Sequence, residues 1–511
     1  MNSTYTTDVD YPTMYFHEQT PILMSMIALL SGQVQNLSAS RFTYCDFGCG
    51  KGLTLNLLAA CNPDGEFYGV DINPSHIASA KELAERTGLT NVTFIEASFD
   101  DLKPEDLPEL DYAAVTGIYS WLPTGTRTHL VSYIENRLKS SGLCFIHYLS
   151  MPGMSTTLVT TALTQLLASQ YEGSSPERAV RAVRELDNAL GSNPKLAFNQ
   201  AMPHVRPNLA RHLQMDPNYL AHDILNRSQE VMWFHQVARD FSASGMDFIG
   251  HARASMNVFG DLYQPALTAP YHKFCEGHED LILREEILGL LLNLSVRMDI
   301  FGKKKNYKEE EIGGGFSNVY FHNLFGEDHV EARKQLKSQI SMDLFQPIYD
   351  DILEGVARGD VEAGKIYGGC AQKYGGAKTR LALMHLIGGK LITFGRHSIS
   401  ASTAERTLNP SQFDRFMLFD KMDNPRAAPL PSKVMGACVQ LSRMERILLA
   451  ALITDDAREI YALVVKHKIT IGKRGGRAIG SYDEFASVLP ILVESFREHR
   501  LPELLQRGLL N

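Results

Sequence analysis

The chain has 511 residues, too many for one ordinary hydrophobic core, and the length predicts two to four domains. Its 44% hydrophobic and 21% charged residues are typical of a soluble protein, and the formal charge of -8 disfavours a nucleic-acid substrate held mainly by phosphate contacts. We expect no membrane span, since the longest apolar runs fall far below the roughly 20 residues that a bilayer requires.

The cysteine pattern and the first residues bear on the compartment. Seven cysteines are scattered along the chain without a CxxC pair, which indicates a reducing environment. The opening sequence lacks a basic region followed by an apolar stretch, so no secretory signal is visible. We therefore expect a cytoplasmic protein. No cluster of histidine and acidic residues has metal-ligand spacing, and no metal site is predicted.

An aromatic segment precedes the first predicted helix. Residues 11–30 read YPTMYFHEQTPILMSMIALL, and Pro21 suits the first turn of an apolar helix. The polar residues before that helix are candidates for a lid that binds cofactor and substrate: Tyr11, Tyr15, His17 and Gln19. That they only cap and staple the helix is an equally weighted alternative.

A glycine-rich turn follows the first predicted strand. Residues 42–52 read FTYCDFGCGKG, which predicts a buried strand that ends at Asp46, a tight turn and the start of a helix. Glycine permits unusual backbone angles and the close approach of a ligand. A second apolar run, residues 67–70, ends at Asp71, where a carboxylate can accept hydrogen bonds from ribose hydroxyls. A plain structural turn remains the alternative.

The spacing of the glycines separates two cofactor classes. A dinucleotide site carries GxGxxG, whereas this chain has DxGxGxG, which resembles the first motif of class I S-adenosylmethionine-dependent methyltransferases. The resemblance implies S-adenosylmethionine as cofactor, and a nicotinamide cofactor is the lesser alternative. The cofactor-binding residues expected from the motif and the strand ends are Asp46, Gly48, Cys49, Gly50, Gly52, Asp71, Ile72, Ser98, Phe99 and Gly117. Ser98 stands where many members of the class carry an acid.

Further strands are predicted at residues 92–95, 112–115 and 143–148, with helical patterns between them. This alternation predicts an α/β fold, a doubly wound Rossmann-like sheet. The segments MDFIGHA and VRMDIFGK are expected to supply its sixth and seventh strands, so that the sheet is completed late in the chain. The residues expected to receive or relay a proton are Tyr119, His147 and Tyr148, and Trp121 is expected to form an aromatic wall for the acceptor.

The order of the motifs narrows the resemblance. YPxxYxHxQTP, DFGCGKG, GVDINP, GIYSW and the WFHQ segment together resemble bacterial protein-lysine methyltransferases with a methyltransferase regulatory domain, a group that includes rickettsial enzymes acting on outer-membrane proteins. The resemblance covers roughly residues 11–300. It implies a protein substrate, which is a surface or outer-membrane protein before export, and a homodimer is a further expectation. The alternatives are an O- or N-methyltransferase for a sugar, lipid head group or small metabolite, and a cofactor-binding scaffold without turnover.

Four regions are expected. They are a cofactor-binding core at 1–154, a helical insertion for oligomerisation or a lid at 155–218, the regulatory region at 219–310, and a mainly helical C-terminal region at 316–511. The charge run and glycines at 303–315 predict a solvated linker between the last two. LITFGR indicates a small winged-helix-like hairpin. The basic segment 467–477 is interpreted as a surface loop, with nucleic-acid binding as the lesser alternative.

Overall fold

The computed structural model describes residues 13–35, 41–226, 228–324, 329–337, 342–357, 361–398, 408–421, 429–467, 469, 471 and 481–510. Its centre is a 7-stranded sheet in the order β3-β2-β1-β4-β5-β7-β6. The strands are β1 Thr43–Phe47, β2 Glu66–Asp71, β3 Val92–Glu96, β4 Leu110–Thr116, β5 Leu138–Leu149, β6 Asp247–His251 and β7 Val296–Gly302.

The first five strands are parallel, and β7 runs antiparallel to both β5 and β6. The predicted sixth and seventh strands are therefore confirmed, and nearly 100 residues of chain separate β5 from β6 in sequence. Helices between the strands cover both faces of the sheet, as parallel strands require. The helices that belong to this core are α1 Pro21–Leu30, α2 Leu53–Cys61, α3 Pro74–Thr87 and α4 Thr124–Arg137.

Helix α3 shows how local sequence sets these boundaries. Asn73 accepts a hydrogen bond from the Ser75 amide at 3.0 Å, and Pro74 occupies the first helical position. Gly88 ends the helix in the left-handed conformation with a φ of 70°. The N-cap lies two residues after Asp71, the last residue of β2, and the Asn73 amide donates a hydrogen bond to the Asp71 carboxylate.

The predicted helical insertion is confirmed between β5 and β6. It packs around its own small apolar cluster, and a helix after it leads into β6. The insertion helices are α5 Ser155–Ala168, α6 Ser175–Gly191, α7 Ala197–Ala201, α8 Val205–His212 and α9 Pro217–Leu225, so the helical insertion extends past its predicted end at 218 into the region predicted as regulatory. The later helices up to β7 are α10 Phe234–Ser242, α11 Ala254–Asn257, α12 Phe259–Leu262, α13 Pro265–Cys275 and α14 Leu281–Leu291.

The C-terminal region is mainly helical, as predicted. Its described helices are α15 Glu309–Gly314, α16 His329–Lys337, α17 Pro347–Ala357, α18 Ala363–Tyr374, α19 Gly376–Gly388, α20 Gln412–Arg415, α21 Arg443–Thr454, α22 Ala457–Lys466, α23 Tyr482–His499 and α24 Leu501–Gln506. Its strands are β8 Tyr320–Asn323, β9 Val361–Glu362, β10 Ile392–Gly395, β11 Leu430–Ser432 and β12 Ala437–Val439. LITFGR forms β10, but it pairs with the distant β8 and makes no hairpin.

The solvated linker predicted at 303–315 is wrong. These residues include α15, in which Ile312 is buried, and the Lys303 ammonium lies 3.1 Å from the Glu135 carboxylate. All ten residues of α1 are buried, because the sheet covers one side of that helix and C-terminal elements such as α19 cover the other. The same apolar cluster thus runs through the core and the C-terminal region, and it includes Ile312. The charged residues before Ile312 made this segment resemble a linker in the sequence.

Cysteines in the described residues are all unpaired in the covalent sense, although the buried Cys61 and Cys438 sulfurs lie 3.6 Å apart. Within the described ranges we find no helix long and apolar enough to cross a membrane. Most of the basic segment 467–477 lies outside the described residues, so its interpretation as a surface loop stays a prediction.

Candidate functional site

A cavity of about 310 Å³ opens beyond the carboxyl ends of β1, β2, β4 and β5. Its size is at the lower end of the range for small-molecule sites. Its position, where the strand order reverses between β1 and β4, is where doubly wound sheets bind ligands. Seven of the predicted cofactor-binding residues line it: Asp46, Gly48, Cys49, Gly50, Gly52, Asp71 and Gly117.

The glycine turn needs its three glycines for different reasons. Gly48, Gly50 and Gly52 all have positive φ angles, of 82°, 53° and 70°. A Cβ at Gly48 would lie 2.7 Å from Ile118, and one at Gly52 would lie 2.6 Å from Ala80, so protein packing excludes side chains there. No atom lies within 4 Å of a Cβ built at Gly50. Gly50 is therefore the glycine whose backbone is left open to a ligand.

Asp71 ties the glycine turn to the end of β2. Its Oδ2 accepts a hydrogen bond from the Gly50 amide at 2.9 Å, and its Oδ1 accepts one from the Asn73 amide at 2.8 Å. The His76 ring lies 3.4 Å from the same Oδ1. Each carboxylate oxygen has further lone pairs, so Asp71 can hold the turn and still accept hydrogen bonds from a ribose.

Asp46 carries a buried carboxyl group beside the turn. Its Oδ2 accepts a hydrogen bond from the Gln19 side-chain amide at 3.2 Å, whereas its buried Oδ1 has no hydrogen-bond partner within the described ranges. Burial raises the pKa of Asp46 to about 7, and the negative charge of Asp71 adds to that effect. A cationic group at Oδ1 would satisfy the orphaned oxygen and favour the ionised carboxylate. A buried carboxylate with a free acceptor oxygen fits the amino group of S-adenosylmethionine.

Gln19 and Cys49 are neighbours of Asp46 with different roles in the cavity. The Gln19 side chain also accepts a hydrogen bond from Thr116 at the end of β4, so one amide spans β1 and β4. The Cys49 thiol lines the cavity, and burial together with the charges of Asp46 and Asp71 raises its pKa well above the ordinary value. It therefore stays a protonated thiol at neutral pH and offers packing rather than a nucleophile.

We call the part of the cavity wall that contains Phe16, Val296 and His147 the apolar end. The ring centroids of His147 and Phe16 lie 5.5 Å apart, and Ile118 lines the cavity between this part and Gly48 of the glycine turn. Burial lowers the pKa of His147 to about 4, so the imidazole is neutral at physiological pH. Its buried Nδ1 has no hydrogen-bond partner among the residues that the structure describes. His147 thus brings an unpaired polar atom to the apolar end.

The insertion also reaches this end of the cavity. Tyr219 and His222 of α9 are among the lining residues, and Trp121 packs edge-on against the His222 ring with centroids 5.8 Å apart. Trp121 itself does not line the cavity, so its placement is one step behind the wall that the sequence predicts it to form. The sequence marks His222 only as part of a histidine and acid pair, and nothing local indicates that α9 folds back onto β4 and β5.

Two residues expected to take part in proton transfer lie elsewhere. Tyr148 is buried on the other side of β5 from His147, because consecutive strand residues point to opposite faces, and its hydroxyl donates to Asp299 at 2.8 Å. Tyr119 is buried beside Phe241, with its hydroxyl 3.5 Å from Asp240. Neither tyrosine lines the cavity, so their assignment as proton acceptors has no support from the geometry.

The remaining expected residues lie around the rim or outside it. Ile72 follows β2 and is 67% exposed, while Ser98 and Phe99 follow β3, and none of the three lines the cavity. His17 is exposed. Tyr15 is half-buried, and its hydroxyl accepts a hydrogen bond from the Cys438 amide in the C-terminal region. Tyr11 lies outside the described residues.

Among the residues that the structure describes, no group of three histidine, cysteine or acidic side chains could hold a metal ion. The polar side chains that line the cavity include the Asp46 and Asp71 carboxylates, the Lys51 ammonium and the His147 imidazole. Such an arrangement can orient a cationic organic ligand at Asp46 and Asp71 while an acceptor approaches past Phe16 and His147.

Two segments match known families. Residues 38–162 match the family described as "Methyltransferase domain", and residues 216–303 match the "Predicted methyltransferase regulatory domain". The chain is 26% identical over 520 residues to an uncharacterized protein of Synechocystis sp., with 99% of both chains covered. A stretch of 78 residues is 36% identical to a trans-aconitate 2-methyltransferase of Methylobacterium nodulans, which covers 15% of this chain and 28% of that protein.

A solved structure resembles nearly the whole chain. PKMT2 from Rickettsia typhi, which was also solved in complex with AdoHcy, has a TM-score of 0.64 and 16% identity, with 95% of this chain and 99% of that chain covered. At this identity the likeness shows a shared fold. Together with the family matches it confirms the predicted methyltransferase domain with a regulatory region, and the lysine acceptor stays a prediction. The chain carries a class I methyltransferase domain, the class whose cofactor is S-adenosylmethionine, followed by a regulatory region.

Proposed function

We propose that this protein transfers the methyl group of S-adenosylmethionine to lysine side chains of a protein substrate. The observation that carries the proposal is the contrast between the two ends of the cavity. Carboxylates lie at one end, and an apolar wall with the unpaired Nδ1 of His147 lies at the other. The full-length likeness to PKMT2 supports a protein acceptor.

The cofactor fits the carboxylate end. Asp46 would bind its amino group, Asp71 would accept hydrogen bonds from its ribose, and the backbone at Gly50 leaves space for its approach. Ile72, which is 67% exposed beside β3, offers an apolar surface on which the adenine ring can lie, next to Ser98 and Phe99. When bound, S-adenosylmethionine supplies a methyl group on a sulfonium that becomes a neutral thioether.

The apolar end suits a neutral amine. An unperturbed lysine has a pKa of about 10.4, so only about one amine in a few thousand is neutral at pH 7. Phe16 and Ile118 would disfavour the ammonium form by desolvation. His147 Nδ1 can accept a hydrogen bond from the neutral amine and so orient its lone pair, and its low pKa means that it positions the amine rather than removing the proton.

A small anionic acceptor is the second candidate, because a stretch of 78 residues is 36% identical to the trans-aconitate enzyme. That stretch covers only 15% of the chain. We therefore favour the amine. The methyltransferase activity is common to both candidates, and a cofactor-binding scaffold without turnover is the remaining outcome.

The test uses methyl-labelled S-adenosylmethionine, the full chain and host-cell lysate. Half of the lysate is first treated with acetic anhydride, which blocks lysine amines, and Asp71→Ala serves as the enzyme control. We expect label in protease-sensitive material that depends on the wild-type enzyme and disappears after acetylation. Label that survives acetylation or resists protease would exclude lysine, and cofactor binding without any label would favour the scaffold.

We also propose a cytoplasmic homodimer. Helix α5 contains no charged residue and turns its threonines inward, while Val159, Leu163 and Leu166 are exposed along one face. Apolar residues spaced by three and four positions are what a second helix packs against. Sedimentation velocity should give the mass of a dimer for the wild type and that of a monomer for a Leu163→Lys variant, and a monomeric wild type would contradict the proposal.

A further inference from the structure

Residues 13–19, which we call the strap, cross the mouth of the cofactor cavity. Thr13, Met14, Phe16 and Gln19 line the cavity. Phe16 has extended backbone angles, and Glu18 lies in the short 3-10 helix His17–Gln19. Tyr15 and Glu18 are not among the lining residues and contact other parts of the chain.

Three regions hold the strap. Within the methyltransferase domain, the Thr54 hydroxyl donates to the Met14 carbonyl at 2.9 Å. The regulatory region contributes Arg253, just after β6, whose Nε lies 3.0 Å from the Glu18 carboxylate. The C-terminal region contributes the amide of Cys438 in β12, which donates to the Tyr15 hydroxyl at 3.2 Å. Gln19 adds further contacts within the methyltransferase domain, with Asp46, with Thr116 and with the Tyr44 hydroxyl, which donates to the Gln19 carbonyl at 3.1 Å. The attachments of Tyr15 and Glu18 come from outside that domain.

The strap can open only from one end. It continues through Thr20 into α1, whose ten residues are all buried, so its carboxyl end is fixed. The hydrogen bonds of the buried Gln19 belong to this fixed end, whereas residues 14–18 are held by single hydrogen bonds and one ion pair. The Arg253 side chain is 54% exposed, and an exposed ion pair contributes little free energy. The closed strap therefore costs little to release, and small changes at its attachments should change how often it opens.

We propose that Arg253 and Tyr15 are positioning residues that hold the strap over bound cofactor, so that the regulatory and C-terminal regions set the rate of cofactor exchange. The inference rests on the proposed function only in requiring that S-adenosylmethionine binds in this cavity. It does not depend on which acceptor is methylated. It gives the regulatory region a physical route to the active site, through the Glu18 carboxylate.

The experiment measures the dissociation rate of labelled S-adenosylhomocysteine from the full chain, by rapid filtration after an unlabelled chase. Arg253→Gln and Tyr15→Phe should each raise the rate about threefold, and the double variant about tenfold, as expected for one exposed ion pair and one neutral hydrogen bond. Matched controls remove similar contacts far from the strap. Arg206→Gln breaks an ion pair with Asp187 in the insertion, and Tyr133→Phe removes a hydrogen bond to the Lys103 carbonyl.

A charge exchange separates positioning from general damage. Glu18→Arg should raise the dissociation rate, and Glu18→Arg combined with Arg253→Glu should return it towards the wild-type value without a change in melting temperature. Equal rates in the wild type, strap variants and controls would overturn the inference while leaving the proposed function intact. A full chain that binds no S-adenosylhomocysteine would overturn both.

Discussion

The two ends of the cavity are built in different ways. The cofactor end comes from one continuous β1-α2-β2 unit, where Asp46, Gly50 and Asp71 lie within 26 residues of sequence. The acceptor end combines Phe16 before α1, His147 on β5 and His222 on α9, which continues the insertion into the residues 216–303 that match the regulatory domain. The β1-α2-β2 unit can therefore keep its geometry when the elements that carry Phe16, His147 and His222 are altered. The comparison predicts that damage to the first end removes cofactor binding, whereas damage to the second end changes turnover alone.

The largest effect is expected at Asp71. Asp71→Ala removes the acceptor for the Gly50 and Asn73 amides as well as the proposed ribose contact. Hydrogen bonds to a charged group are stronger than neutral ones, so we expect the affinity for S-adenosylhomocysteine to fall about 100-fold or more. Calorimetric titration measures it. Asp64→Ala, an exposed acid in the turn before β2, should bind normally, and equal affinity in the two variants would break the comparison.

The next effect concerns Asp46 and depends on pH. Because its pKa is about 7 in the free protein, the carboxyl is largely protonated at pH 5.5 and ionises as the pH rises to 7.5. Only the ionised form attracts the cofactor's amino group, so affinity should rise over this interval, which stays below the usual pKa of an α-amine. Asp46→Asn should lower affinity about tenfold at pH 7.5 and remove the pH dependence. A wild-type profile that is flat between these values would contradict the assignment.

The same carboxyl predicts a cost in stability. A folded-state pKa of about 7, against about 3.9 in the unfolded chain, means that the native state holds its proton longer. The free energy of unfolding should therefore decline as pH rises from about 4 to about 7, and Asp46→Asn should reduce that decline. Urea unfolding at several pH values, without cofactor, measures it. An unchanged slope in the variant would show that other groups carry the pH dependence.

At the acceptor end, two neighbouring residues of β5 provide a matched pair. His147→Phe removes the unpaired Nδ1 but keeps a ring beside Phe16, so kcat should fall about fivefold to tenfold while cofactor affinity stays unchanged. Tyr148→Phe instead removes a hydrogen bond to the buried Asp299 and should lower the free energy of unfolding by about 1–3 kcal/mol with kcat preserved. A reversed pattern would mean that the tyrosine faces the acceptor.

This pair also shows how far the sequence can be interpreted. The glycine turn, both acids and all seven strands were predictable, because each depends on neighbouring residues and on the period of apolar positions. Which side chains of β5 point towards the cavity was not predictable. Both faces of that strand are buried, so the alternation has no polar side that would fix its orientation. The contribution of α9 was not predictable either, because it depends on how the insertion folds back onto β4 and β5.

The C-terminal region illustrates the same limit. Its helices follow from their own periodicity, but its packing on α1 depends on contacts such as that of Gly315, where a Cβ would lie 2.6 Å from Leu29. Three consecutive glycines after a charge run are typical of a linker in isolation. Here the absence of side chains lets the backbone approach a buried helix. Only the tertiary structure distinguishes these two uses of glycine.

The smallest effect is expected at Trp121, which contacts the cavity wall without being part of it. Trp121→Phe keeps an aromatic ring against His222 but reduces the contact, so KM for the acceptor should rise about twofold with cofactor affinity unchanged. The chain has 2 tryptophans, and the second, Trp233, precedes α10 away from the cavity, which makes Trp233→Phe the matched control.

The Trp233→Phe control also leaves Trp121 as the only indole. Its fluorescence should change when a methyl acceptor is added to the complex with S-adenosylhomocysteine, and less when S-adenosylhomocysteine alone is added. A response to S-adenosylhomocysteine alone that equals the response to the acceptor would place Trp121 at the cofactor end and break the division between the two ends.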